Sequence, residues 1–413
     1  MFRILSAMSL LLLGSSLLAK DTEIPITITG GKIDLKNVVV KVPGGGLKVA
    51  TTSEVVIEGK KYPAQTLSPS LFAELPETET FFILPTLKAG ESLKGVSKSL
   101  ADTKASKAFA WKDADGKEPT LTTATGLPLL KYIRPEFDPK AIPEKQKANA
   151  NPTFKVYHHL FAADGKTLLT NGAEGKFPHH RGIFYGFNTI SYGKEKADIW
   201  HGWKGEHQAH EKVILSEAGP VMGRQRVRID WIGGDQKTFA IEDRELSVYN
   251  TSDGTLIDFL SLLKTDLDLV KLDGDPQHAG FHFRASSEVE KTEKETYFLR
   301  PDGKGEKGKE LNWDPKTKQG PVNLPWNAMS FLVGGKRYTC LYLDHPSNPK
   351  EARQSERAYG RIGTYFEYNL TKEKPLKVQY RLWVQEGEMT VEQCEAMSKA
   401  FVEPPKVTLG DVK

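Results

Sequence analysis

Residues 376–385, LKVQYRLWVQ, alternate with a period of two. Leu376, Val378, Tyr380, Leu382 and Val384 fall on one side, and Lys377, Gln379, Arg381 and Gln385 on the other. Successive side chains of a strand point to opposite faces, so this pattern places one face in a core and one in water, as in an antiparallel sheet. Further runs rich in branched or aromatic residues carry the same signal: NVVVKV (37–42), SEVVIEG (53–59), ETFFILP (79–85), RVRIDWI (226–232), FAIEDREL (239–246) and RYTCLYL (337–343). Turn chemistry such as PGGG, EGKK, IGGD and VGGK separates them. One helix is predicted. Thr390 and Gln393 form a capping box, Val391, Cys394, Met397 and Phe401 recur at helical spacing, and Pro404-Pro405 stops the run. The expected fold class is mostly β: an N-terminal β-sandwich followed by a larger antiparallel β-sandwich, supersandwich-like, with few helices. The helix is expected as a lid on one sandwich edge.

The first nineteen residues, MFR followed by an apolar run ending at Ala19, read as a signal peptide over 1–19. The run is short for a membrane span, although an uncleaved anchor is the alternative. The expected location is therefore periplasmic or extracellular. Residues 20–110 are assigned to the N-terminal sandwich and 111–413 to the main one, with a lysine-rich, weakly periodic boundary between about 95 and 125. PEFDPKAIPEKQKANANP (135–152) is a second polar stretch, and 291–320 is expected to be a solvated hairpin. A formal charge of +4 over 413 residues is too near neutral to suggest nucleic acid, which usually needs a basic face. No later segment is long and apolar enough to cross a bilayer. Cys340 and Cys394 could pair, but their apolar surroundings favour two buried thiols.

All ten histidines lie between 158 and 345, which places acid/base or metal chemistry in the second region. In FPHHRGIFYGF, His180 is the candidate general acid or base, because an imidazole titrates near neutral pH. Arg181 and Arg284 are expected to hold a carboxylate or hydroxyls. His201, His282 and His345 are further acid/base or metal candidates, and Tyr359 is a donor. His179, Asp198, Trp200, Trp203 and Asp344 are assigned to substrate binding, with the tryptophans as a stacking wall for a sugar ring. Asp198 and Asp344 could serve as paired carboxylates if they meet; if they do not, elimination by His or Tyr is the better mechanism. His207 and His210 are read as exposed.

His278 and His282 stand four apart, a zinc spacing on a helix. Gly280 and the alternation of FHFRA indicate a strand instead, where four residues span ~13 Å. The metal question therefore stays open. No cofactor is identified, since P-loop, dinucleotide fingerprint and nucleophile elbow are all missing.

PHHRGIFYGFN, DIWHGW, HAGFHFRAS, DHPSNP, RAYGRIGTYFEY and PLKVQYRLWVQEGEM follow one another over roughly 125–400. In that order they resemble a family of secreted bacterial proteins labelled methane oxygenase, or PmoA-like. Phe177 stands where that family's HPHHRG-type motif often has histidine. The resemblance implies an N-terminal β-sandwich and a main sandwich of the kind found in many sugar-active proteins. The expected function is an exported carbohydrate-active enzyme, a glycoside hydrolase or lyase, that cleaves a glycosidic or related bond by histidine-assisted acid/base chemistry. Its partner would be a carbohydrate substrate. The alternatives are a non-catalytic glycan-binding protein, with Trp200 and Trp203 as platforms, and a histidine-ligated metal oxygenase.

Overall fold

The computed structural model describes residues 23–44, 49–74, 77–100, 109–113, 116, 118–141 and 151–410. The signal-peptide assignment at 1–19 lies outside the described residues, as do 101–108 of the lysine-rich boundary and 142–150 of the second polar stretch. Among the described residues, four antiparallel sheets make up the fold.

The largest sheet has nine strands. Its spatial order is His207–Ala218, Met222–Ile232, Thr238–Tyr249, Thr255–Lys264, Leu376–Glu386, Lys336–Asp344, Trp326–Val333, Tyr297–Arg300 and Gly303–Lys304. An eight-stranded sheet faces it, in the order Arg353–Arg357, Arg361–Tyr365, Ala279–Arg284, Ile183–Phe187, Tyr157–Leu160, Pro128–Ile133, Thr120–Thr122 and Ala110–Lys112. The alternation read at 376–385 points Val378 and Tyr380 into the shared core. There Phe281, from the eight-stranded sheet, stacks on Tyr380 at 4.6 Å and meets Phe259 at 4.3 Å. Truncating such a buried aromatic typically costs about 3–5 kcal/mol, so these rings hold the two sheets face to face.

The six strands between Glu23 and Ser99 form one sheet that curls around its own core of Ile24, Ile26, Ile28, Val38, Val40, Phe82 and Leu84. A seventh strand, Lys406–Leu409, arrives from the far end of the chain and pairs with Glu23–Thr29, Ile26 opposite Leu409. The larger region thus lends a strand to the N-terminal sheet, which the assignment of everything after 110 to the main sandwich does not anticipate. A second apolar cluster, with Phe81, Met222, Trp326, Leu341 and Trp383, fastens this sheet to the nine-stranded one.

The helix spans Val391–Val402 with the capping box of Thr390 and Gln393 formed. Cys394 is buried beneath it, Cys340 is buried in its strand, and both thiols are free. Burial pushes the Cys394 thiol up to about 12. The charged excursion at 291–320 is not a solvated hairpin throughout. Tyr297, Phe298 and Leu299 are buried in the nine-stranded sheet, and Trp313 is buried beside Tyr365. Among the described residues no helix is long and apolar enough to cross a membrane.

Candidate metal centre

The outer face of the eight-stranded sheet positions the site. Strand Ile183–Phe187 sends Tyr185 inward against Trp231 and Phe259, so its neighbours Phe184 and Gly186 face outward. Phe184 pairs with His282 in the adjoining strand, and His282 pairs with Gly363 in the next. Glycine keeps this face low. A Cβ on Gly363 would lie 2.3 Å from the His282 ring, and one on Gly186 would lie 2.7 Å from Phe184. Two loops, around 177–182 and 198–203, lie over this low face with the buried Trp200 between them. The Trp200 ring meets Phe184 at 5.0 Å, His282 at 4.8 Å and His180 at 5.6 Å.

Three histidines converge above that layer. The ring nitrogens that His179, His201 and His278 could offer a metal, one from each, all lie within 4.8 Å of one another. Two of the three are oriented by the same local device. In Asp198-Ile-Trp-His201, one Asp198 oxygen accepts from the backbone N–H of Trp200 (2.9 Å) and of His201 (2.8 Å), while the other meets His201 Nδ1 at 2.8 Å. In Asp275-Pro-Gln-His278, the carboxylate accepts from Gln277 N–H at 2.8 Å and meets His278 Nδ1 at 3.0 Å. Asn188 Nδ2 donates to the same carboxylate at 2.8 Å. A carboxylate only accepts, so each Nδ1 carries the proton and each Nε2 presents its lone pair. Burial works against the charge on Asp275, yet the bonds from His278, Gln277 and Asn188 hold its carboxyl below the usual range.

Burial keeps the other imidazoles neutral, which is the form a metal needs. His179 and His180 are both held well below the ordinary histidine value. Burial is the main cause, followed by neighbouring His201 for His179 and by Arg361 for His180. His278 is lowered by burial, with Asp275 pulling the other way. The His180 ring sits 4.2 Å from His179 and 5.3 Å from His278. At the rim, Trp203 is 47% exposed and stacks on His201 at 5.2 Å and 20°. Phe177 and Tyr359 pack together at 4.7 Å and both reach His180.

Several expected site residues have other work. Arg181 does not face a substrate: buried, it donates to the carbonyls of Pro178 (2.8 Å), Pro152 (3.0 Å) and Asn151 (2.6 Å), and so anchors the histidine loop. Arg284 is buried, bonded to the Tyr359 carbonyl and to Glu290 at 2.6 Å. His282 is no ligand or base, since Nε2 lies 2.8 Å from the Ala279 carbonyl and Nδ1 lies 2.7 Å from Arg361 Nη1. Trp200 is core, not a platform, at 1% exposure.

Asp344 accepts from Asn348 (2.9 Å), Lys350 (3.3 Å) and Thr364 (3.2 Å), whereas the Asp198 carboxylate serves its own turn. The paired-carboxylate arrangement is therefore not formed. His345 bonds Ser347 at 2.7 Å and packs against Phe401 of the C-terminal helix, apart from the histidine group. His207 is buried and stacked on Phe137, and His210 reaches Tyr132 at 3.3 Å, so neither is a free surface imidazole.

Gly182 makes the loop possible. Its φ is +45°, and a Cβ there would lie 2.2 Å from the His158 carbonyl oxygen. Gly182→Ala is expected to destabilise the protein by at least about 1–3 kcal/mol from backbone strain alone, read as a lower urea midpoint. An unchanged midpoint would show that the loop is not held in this conformation.

Residues 120–399 match the model described as "Family of unknown function (DUF6807)". No curated protein matches the sequence. Among solved structures, an alpha-mannosidase from Enterococcus faecalis V583 aligns with 95% of this chain and 46% of its own, at 7% identity and a TM-score of 0.42. A protein in the Glycosyl Hydrolase Family 38 from Enterococcus faecalis aligns over 94% of this chain and 47% of its own, at 10% identity and a TM-score of 0.37. The chain spans about half the length of these structures.

Proposed function

This chain belongs to the DUF6807 family, whose description assigns no activity, and we propose from its site that it is a metal-dependent, carbohydrate-active enzyme. The observation that carries this reading is the convergence of His179, His201 and His278 within 4.8 Å, two of them preset by Asp-x-x-His turns. Three imidazoles are the protein ligand set of a catalytic rather than a structural site, and neutral imidazole suits zinc, copper, iron or nickel. Metal–nitrogen bonds of ~2.0–2.1 Å require the rings to close by about an ångström.

A metal there supplies Lewis acidity and lowers the pKa of a coordinated water. The protein supplies the rest. Asp198 and Asp275 orient and enrich their imidazoles, and His180, held neutral, is a hydrogen-bonding partner rather than a store of protons. Trp203 offers an exposed ring beside His201 for the apolar face of a sugar. With no carboxylate pair formed, bond cleavage is assigned to metal-assisted elimination or hydrolysis. We propose action outside the cytoplasm from the expectation of a signal peptide over 1–19.

Tag-free protein incubated with zinc, cobalt, copper or manganese is expected to retain about one ion per chain. It should turn over an oligosaccharide in a way that a chelator stops and metal restores. Trp203→Ala should raise KM roughly tenfold, the equivalent of one stacking contact. Failure to retain any of these ions would sink the metal reading. Binding of glycan without turnover by the metal-loaded protein would favour the binding-protein alternative, and turnover that consumes dioxygen and a reductant would favour the oxygenase.

A further inference from the structure

We infer that Lys155 is the positioning residue of this centre, fixing the separation of His179 from His201 through the backbone of their two loops. The inference rests on the metal reading above. Lys155 is completely buried, and its Nζ donates to the His179 carbonyl and to the Trp200 carbonyl, each at 2.7 Å. One of these belongs to a ligand and the other to the residue preceding a ligand.

Aromatic faces surround Nζ. Phe184 lies 3.8 Å below it, Phe154 lies at 4.6 Å and Trp200 at 5.3 Å. A fully buried lysine is rare, and burying a polar amine is costly, so an apolar side chain would be favoured if filling space were all that the position required. What an apolar side chain cannot do is tie two carbonyls from loops distant in sequence. Arg181 extends the same device, holding the histidine loop to 151–152 by the carbonyls of Asn151 and Pro152. Asp198 and Asp275 orient His201 and His278 through their side chains. Lys155 adds a backbone tie between the turn at 198–201 and the loop at 177–182.

The test compares Co(II) binding by the wild-type protein, Lys155→Met and Lys155→Gln, by competition with a chromogenic chelator and by the visible d–d spectrum. Thermal unfolding of each metal-free protein is recorded alongside. Lys155→Met keeps the bulk and removes the donors, and it is expected to bind Co(II) about tenfold to a hundredfold more weakly, the range for groups that orient metal ligands, with an altered d–d band. Lys155→Gln keeps two donors on a shorter stem and should fall between the two. It also serves as the comparison if the methionine variant does not fold.

A merely structural lysine would lower the unfolding temperature while leaving affinity and spectrum unchanged well below it, and that result would overturn the inference. A wild-type protein that binds no Co(II), or whose binding survives His201→Ala, would overturn the metal reading and this inference with it.

Discussion

Asp198→Asn is expected to weaken metal binding by about tenfold to a hundredfold, and His201→Ala or His278→Ala to bring metal content and activity to background. The asparagine result is the sharper one, because it follows from bonds already made. One Asp198 oxygen accepts from two backbone N–H groups, of Trp200 and His201. The amide of an asparagine must turn its oxygen to those donors, which leaves its NH2 against His201 Nδ1. That forces Nδ1 to accept and moves the imidazole proton to Nε2, the nitrogen that should hold the ion. The wrong tautomer, not a lost contact, blocks coordination; a triad histidine fails in the same way when its aspartate is amidated.

Asp275 differs. Both its oxygens accept, one from Gln277 N–H and the other from Asn188 Nδ2. An amide there sets N–H against N–H in either orientation, so Asp275→Asn should lose stability as well as affinity. Affinity is measured by chelator competition on variants whose circular dichroism matches wild type. Wild-type affinity in a folded Asp198→Asn protein would remove the orienting role.

The sheet architecture was legible because alternation is local. Strands placed at 37–42, 226–232 and 376–385 lie within Leu35–Pro43, Met222–Ile232 and Leu376–Glu386, and the Thr390 capping box starts the helix. The centre was half legible. PHHRG and DIWH marked two of its corners, but His278 was weighed as a partner for His282, four residues on. The useful signal lay three residues back, where Asp275 repeats the spacing of Asp198 to His201. That the two turns meet depends on a loop crossing the sheet face, which no periodicity records. The arginines misled for a related reason. A cation beside histidines reads as a substrate clamp, yet Arg181 and Arg284 spend their donors on backbone carbonyls and Glu290. Lys155 carries no sequence signal at all, because lysine is ordinarily a surface residue.

Acidification from pH 7 to 5.5 is expected to destabilise the metal-free fold by about 4 kcal/mol through three imidazoles alone. His158, His180 and His282 are fully buried, and all three are held well below the ordinary histidine value. Burial is the first cause in each, with cationic neighbours Arg244 or Arg361 next. In the unfolded chain each titrates near 6.5. Below that pH the unfolded state binds protons that the folded state refuses, so stability is complete above about 6.5 and falls as pH drops through it. Each group contributes about 1.2 kcal/mol over this interval. His159 and His210, both lowered to about 4, act in the same direction.

Urea midpoints at the two pH values measure the effect. Saturating Co(II) should raise stability at pH 7 by the linkage of binding to folding, and should steepen the loss at 5.5 as protons compete for the ligands. A flat profile would mean that these imidazoles titrate while the protein is folded. His180 and His282 would then have to reach water, and a layer closed over them by Trp200 and the two loops would be the wrong description of this face.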